Sequence, residues 1–143
     1  VITQPITEDL RYVFHSDIAD DSTGGVRAEW YSATQYLFLD LTEKLSVGVR
    51  QGWFRDDDGV RIFSNAANGA VGGVGTPGVS VGMPGNYWDL SFGNNYKFTD
   101  NIITRGEIRY TYSDAIGAGG VRPYDDGARG SQVVFGGDVI VRF

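Results

Sequence analysis

The sequence predicts an all-β chain: an antiparallel meander of about six strands that makes up part of a transmembrane β-barrel. Three observations carry this expectation. Long runs alternate apolar and polar residues with period two; the connectors alternate between tight turns and long polar loops; and the chain closes on an alternating run that ends in Phe143.

Composition agrees with β structure and excludes several other classes. The 143 residues include 21 Gly and are 13% aromatic, enough for one all-β unit. There is no Cys and only one His, so neither a thiolate nor a histidine-cluster metal site can be built. A net charge of -6 argues against nucleic acid as a partner, because phosphate binding needs clustered Lys and Arg. The acid collects in short runs beside Gly (Asp20-Asp21, Asp56-Asp57-Asp58, Asp125-Asp126), whereas many arginines sit inside the alternating runs. No stretch approaches the ~20 apolar residues of a transmembrane helix, and no signal peptide opens the sequence. Low mean hydropathy is compatible with a membrane all the same, since a barrel strand is half polar.

The strands are expected at 10–17, 31–41, 45–54, 87–98, 102–113 and 132–143. Most exceed the ~5–6 residues of a soluble strand and approach the ~9–11 of a tilted membrane-spanning one. Residues 42–44 and 99–101 read as tight turns, and 18–30, 55–86 and 114–131 as long loops. Short turns at one end and long loops at the other is the transmembrane-barrel arrangement, with the turns periplasmic.

Turn length also fixes register, because directly paired residues face the same side. A turn at 42–44 pairs Leu41 with Leu45, Leu39 with Val47 and Leu37 with Val49 on one face; Phe38 with Gly48, Tyr36 with Arg50 and Thr34 with Gly52 fall on the other. A turn at 99–101 pairs Phe98 with Ile102, Phe92 with Ile108, Leu90 with Tyr110 and Trp88 with Tyr112. Opposite these fall Asn95 with Arg105, Gly93 with Glu107, Ser91 with Arg109 and Asp89 with Thr111. The apolar face ends in aromatics at both heights, Tyr96 and Phe98 low and Trp88, Tyr110 and Tyr112 high, as two interfacial girdles would. In the last run Val133, Phe135, Val139, Val141 and Phe143 share one side, while Gln132, Asp138 and Arg142 share the other.

The polar faces therefore supply the candidate pore-lining residues: Tyr36, Arg50, Asp89, Lys97, Arg105, Glu107, Arg109, Asp138 and Arg142. With Arg11 and Asp40 added, cations outnumber anions on this face. A mild anion preference follows, at a constriction around Arg50, Arg105 and Arg109 with Glu107 and Asp89 holding the arginines. Read as a soluble β-sandwich, the same residues would be the solvated outside, and a second sheet would have to cover the apolar face.

Other motifs resolve to bland readings. The GxGxxG at 73–78 has no strand before it and no helix after it, so it reads as a loop. His15, Ser16 and Asp17 are strand neighbours pointing to alternate faces, which precludes a catalytic relay. Asp56-Asp57-Asp58-Gly59 lacks EF-hand spacing and reads as a solvated rim rather than a calcium loop. No catalytic residue, cofactor or metal is expected.

Four stretches also resemble a known family: EWYSATQYLFLDL (29–41), VGVRQGWFRDDDGVR (47–61), NYWDLSFGNNYKFTDNIITRGEIRYTYSD (86–114) and FGGDVIVRF (135–143). From Glu29 onwards the chain resembles the OmpL-like β-barrel porin family, most specifically at WFRDDDG and EIRYTYSD. The resemblance implies a bacterial outer-membrane pore of which residues 1–143 are the C-terminal portion of one barrel domain. The glycine-rich insert at 66–85 is longer and blander than expected between these motifs. The implied partners are outer-membrane lipid, small polar solutes or ions, and either missing barrel strands or other copies of the chain. The alternative is a non-channel structural or adhesive cell-surface β-protein.

Overall fold

The computed structural model describes residues 1–23, 26–59, 61–62 and 83–143. They form one seven-stranded antiparallel meander in which each strand pairs with its sequence neighbours. The strands are β1 (Ile2–Pro5), β2 (Leu10–Thr23), β3 (Val26–Asp40), β4 (Leu45–Asp56), β5 (Gly85–Thr99), β6 (Ile102–Ser113) and β7 (Ser131–Val141). A single short 3-10 turn at Ala118–Gly120 interrupts the β6–β7 connector. The two edges, β1 and β7, are not paired with each other among the described residues, so the sheet is open.

The register is the one that the turn lengths dictate. Leu39 pairs with Val47, Leu37 with Val49, Tyr36 with Arg50 and Thr34 with Gly52; Phe92 pairs with Ile108, Ser91 with Arg109 and Trp88 with Tyr112. Alternation then sorts the side chains. One face curls around a hollow of about 640 Å³, lined from every strand between β2 and β7 by residues such as Arg11, Tyr36, Arg50, Asn95, Arg109 and Asp138. This is the inner face. The outer face is apolar and uncovered, with Leu90 53%, Phe92 50%, Val139 62% and Phe135 76% exposed.

Such an outer face excludes water as its surroundings. Leaving a large apolar side chain in water rather than burying it costs about 1.5–3 kcal/mol. Leu37, Val49, Leu90, Phe92, Ile108, Tyr110, Val133, Phe135, Val139 and Val141 are each about half exposed or more, so the sum is roughly 8–15 kcal/mol, comparable with the ~5–15 kcal/mol that stabilises a whole domain. A sandwich would need a second sheet here, and the described residues form only one. From Ile102 to Tyr112 the strand rises about 34 Å at ~3.4 Å per residue; a tilt of about 40° makes that ~26 Å, the height of a barrel's apolar band.

Four features depart from the sequence expectations. First, β1 adds a strand to the six expected, joined to β2 by a short turn in which Ile6 and Thr7 amides donate to the Leu10 carbonyl. Second, 18–30 is not a long loop: β2 and β3 stay paired up to Thr23 and Val26. Above the apolar band both faces meet water, so the ladder runs on through polar pairs such as Asp20 with Glu29, and period-two hydropathy no longer marks it. Third, Phe98 does not pair with Ile102. A bulge between Lys97 and Thr99 leaves Phe98 as the extra residue and pairs Thr99 with Ile102. Fourth, the strand at 132–143 ends at Val141, although the Arg142 amide still donates to the Asn101 carbonyl at 2.9 Å.

Cross-linking checks the β2–β3 extension. Ile18→Cys with Tyr31→Cys, a directly paired couple, should form a disulfide under mild oxidation, whereas Ile18→Cys with Ala33→Cys, one rung out of register, should not. Equal yields from the two pairs would restore the loop.

Candidate functional site on the inner wall

The inner wall is built in rows, because each rung of the ladder sets one residue from each strand side by side on the same face. One row carries Val13, Tyr36, Arg50, Ser91, Arg109 and Val134; the next towards the turn end carries Arg11, Phe38, Gly48, Gly93, Glu107 and Gly136. Large residues face glycines, as the sequence pattern suggested: the Phe38 ring leans over Gly48, and a Cβ there would lie 2.9 Å from it.

The arginines are held by carboxylates. Arg105 meets Asp138 across the β6–β7 pair with Nε to Oδ1 at 2.7 Å and Nη2 to Oδ2 at 2.5 Å. Arg109 donates from Nε to Glu107 Oε1 at 2.8 Å and to Ser91 Oγ at 3.1 Å. Arg50 Nη1 lies 2.9 Å from Asp89 Oδ2. That last contact is an ion pair without hydrogen-bond alignment, so Asp89 Oδ2 remains buried with no hydrogen-bond partner, as does Oγ1 of its ladder neighbour Thr111. Asp89 therefore serves Arg50 across β4–β5 rather than Arg109.

Arg50 and one further guanidinium, Arg11, flank an aromatic pair. The Tyr36 and Phe38 rings stack at 5.8 Å and 14°. Arg11 lies 5.1 Å from the Phe38 centroid and Arg50 5.9 Å from that of Tyr36. The expected Tyr36–Arg50 contact is thus present, and Arg11, absent from the candidate set, joins it. Lys97 lies lower, in a second hollow shared with Asp9, Asp40, Glu43 and Lys44 at the turn end. Arg142 lies beyond the end of β7. Two of the cations counted on this face from the sequence, Lys97 and Arg142, therefore lie outside the main hollow. Around the main hollow Arg11, Arg50, Arg105 and Arg109 are matched by Asp40, Asp89, Glu107 and Asp138.

At the loop end the wall carries a feature that sequence reading missed. Met83, Tyr87 and Ala115 are buried together, with Phe54, Ile62 and Val121 packed against them. Fully buried Ser113 starts the turn: its Oγ donates to the Asn86 carbonyl at 2.8 Å and accepts the Ala115 amide at 3.0 Å. The Tyr87 hydroxyl donates to the Met83 carbonyl at 2.6 Å. The β6–β7 connector thus folds back over the inner face. Asp114 anchors it from outside: burial works against its charge, but hydrogen bonds from the Asn86 side chain and amide, with Arg55 nearby, hold its carboxyl below the usual carboxylate range. A lone Met beside a glycine-rich run was the only signal for this cluster.

The remaining motifs fall out as follows. Asp56 is buried rather than solvated, and its Oδ2 accepts the Arg61 and Ile62 amides at 2.9 and 2.8 Å. Asp57 turns to Arg55 and Asp58 to the Glu29 amide, so the three carboxylates diverge. Among the described residues no group of three or more His, Asp or Glu is placed to hold a metal. Asp17 accepts from Ser32 Oγ and contacts His15 Nε2, both at 3.2 Å; the carboxylate lies between hydroxyl and imidazole, which is no relay. The GxGxxG at 73–78, and the rest of 63–82, lie outside the described residues.

A single sheet with an apolar outside and a charged, glycine-lined inside is the wall of a porin-type β-barrel. The family model described as "Putative beta-barrel porin-2, OmpL-like" matches residues 1–143, the first 28 residues included, and the chain belongs to that family. No curated protein and no solved structure matches the chain.

The loop-end cluster has a local consequence. Met83→Ala should loosen its packing by about 2–5 kcal/mol, seen as faster amide exchange in 114–124 with β5 and β6 still protected. Unchanged exchange in that connector would show that Met83 does not hold it.

Proposed function

We propose that residues 1–143 are the C-terminal portion of one bacterial outer-membrane barrel domain, and that the barrel is a channel for passive diffusion of ions and small polar solutes. The observation that carries this reading is the inverted sheet: apolar residues point away from the hollow and ion pairs point into it. The alternative, a structural or adhesive surface protein, favours loops that stand clear of the barrel. The β6–β7 connector instead packs over the inner wall, which supports the channel.

Strand parity bears on how the barrel closes. β1 and β7 are both odd-numbered strands of an antiparallel meander, so they run the same way. Copies inserted in one orientation keep that direction, so every edge-to-edge junction between them would be parallel. Barrels of this kind are antiparallel with an even number of strands, and open edges are not tolerated in lipid. This parity supports an odd number of further barrel strands as the closing partner over a ring of copies.

With the arginines paired, the wall favours only weak ion selectivity. Arg105→Ser with Arg109→Ser frees Asp138 and Glu107, and should move the reversal potential in a KCl gradient across a planar bilayer towards cation preference. The comparison is between variant and parent, so the rest of the lumen cancels. An unchanged potential would take both arginines off the ion path.

A further inference from the structure

The main hollow has a shape and a chemistry that the channel reading does not require. In the row through Phe38, three of the four positions on β4 to β7 are glycines: Gly48, Gly93 and Gly136. The fourth, Glu107, turns out of the row to bind Arg109 one rung away. The result is a side-chain-free trough across the wall. Phe38 closes one end, stacked on Tyr36, and both rings are flanked by guanidiniums. Arg50 and Arg109 lie one rung above it and the Arg105–Asp138 pair one rung below. The hollow of about 640 Å³ is the size of a small-molecule site.

The charges decide the class of ligand. A trough for anions would present unpaired arginines, yet here Arg50, Arg105 and Arg109 are ion-paired with Asp89, Asp138 and Glu107, and Arg11 lies over the Phe38 ring. Each ion pair leaves guanidinium N–H groups free to donate and carboxylate lone pairs free to accept, and Asn95 and Ser46 add neutral groups of both kinds. Paired donors and acceptors in fixed positions, beside an aromatic surface, suit an uncharged ring whose hydroxyls both donate and accept and whose C–H face packs on Phe38.

We propose that this trough is a binding subsite for a neutral saccharide of one or two rings. The inference rests on the channel reading, and the test separates the two. The full-length barrel is placed in a planar bilayer in KCl and titrated with glucose and sucrose. Open conductance before sugar reports the channel; saturable current block reports the subsite, and calorimetric titration of the detergent-solubilised protein with sucrose reads it independently of any current. Gly136→Leu fills the trough without a clash in the fold, since nothing lies within 4 Å of a Cβ there, and should abolish block and calorimetric binding. Phe38→Ala should raise the half-blocking concentration about tenfold. Current that falls only in proportion to solution viscosity, block unchanged in Gly136→Leu, or block by benzoate or phosphate but by neither sugar would each overturn the proposal.

Discussion

The constraint on which the rest of this structure depends is that a backbone amide in hydrocarbon has no water to bond. Every strand from β2 to β6 meets it by pairing along both edges, and the ladder fixes all that follows. Once each rung is set, alternation leaves no freedom: Arg50 cannot face the hollow unless Val49 and Gln51 face outwards. The outer face shows the same rule applied to side chains. Gln35 and Gln51 fall on it, and they are satisfied laterally, Tyr12 to Gln35 at 2.8 Å and Gln35 to Gln51 at 3.1 Å.

The ion pairs of the inner wall have a different task from the ladder. Arg105 and Asp138 are each about half exposed, and solvent screens a pair of that kind. They do little for stability beside the ladder. Their effect is to place opposite charges at fixed heights without accumulating either sign, and so to present a polar, nearly neutral surface to whatever occupies the hollow. Glycine contributes as much as charge does: at 48, 93 and 136 the missing side chains make room that the arginines then border. At the loop end the same face is covered by packing instead of charge, through Met83, Tyr87 and Ala115.

What could be read from the sequence, and what could not, follows from which interactions leave a mark on hydropathy. The central strands and their register were legible because a buried or lipid-facing row must be apolar and a turn length fixes what sits opposite. β1, at four residues, is too short to show a period, and the upper part of the β2–β3 hairpin is held by backbone bonds among polar residues. The bulge at Phe98 was hidden because a hairpin with an extra residue and one without can share the same turn sequence. The rows of the inner wall were legible, so most candidate residues came together as expected, but partner choice was not. Asp89 lies beside both Arg50 and Arg109 in the ladder, and side-chain geometry alone decides that it serves Arg50 while Glu107 serves Arg109. The loop-end cluster joins Met83 to Ala115 across the whole of β5 and β6, a contact with no periodic signature.

The central claim, that this sheet is a wall between lipid and water, is tested most directly by a cysteine scan of β6 from Arg105 to Tyr112 in the full-length protein in bilayers, labelled with a membrane-impermeant thiol reagent. The account predicts alternation: labelling at 105, 107, 109 and 111, and none at 106, 108, 110 and 112, where a lipid-dissolved quencher should reach a fluorophore instead. Uniform labelling along the strand, or alternation in the opposite phase, would contradict it.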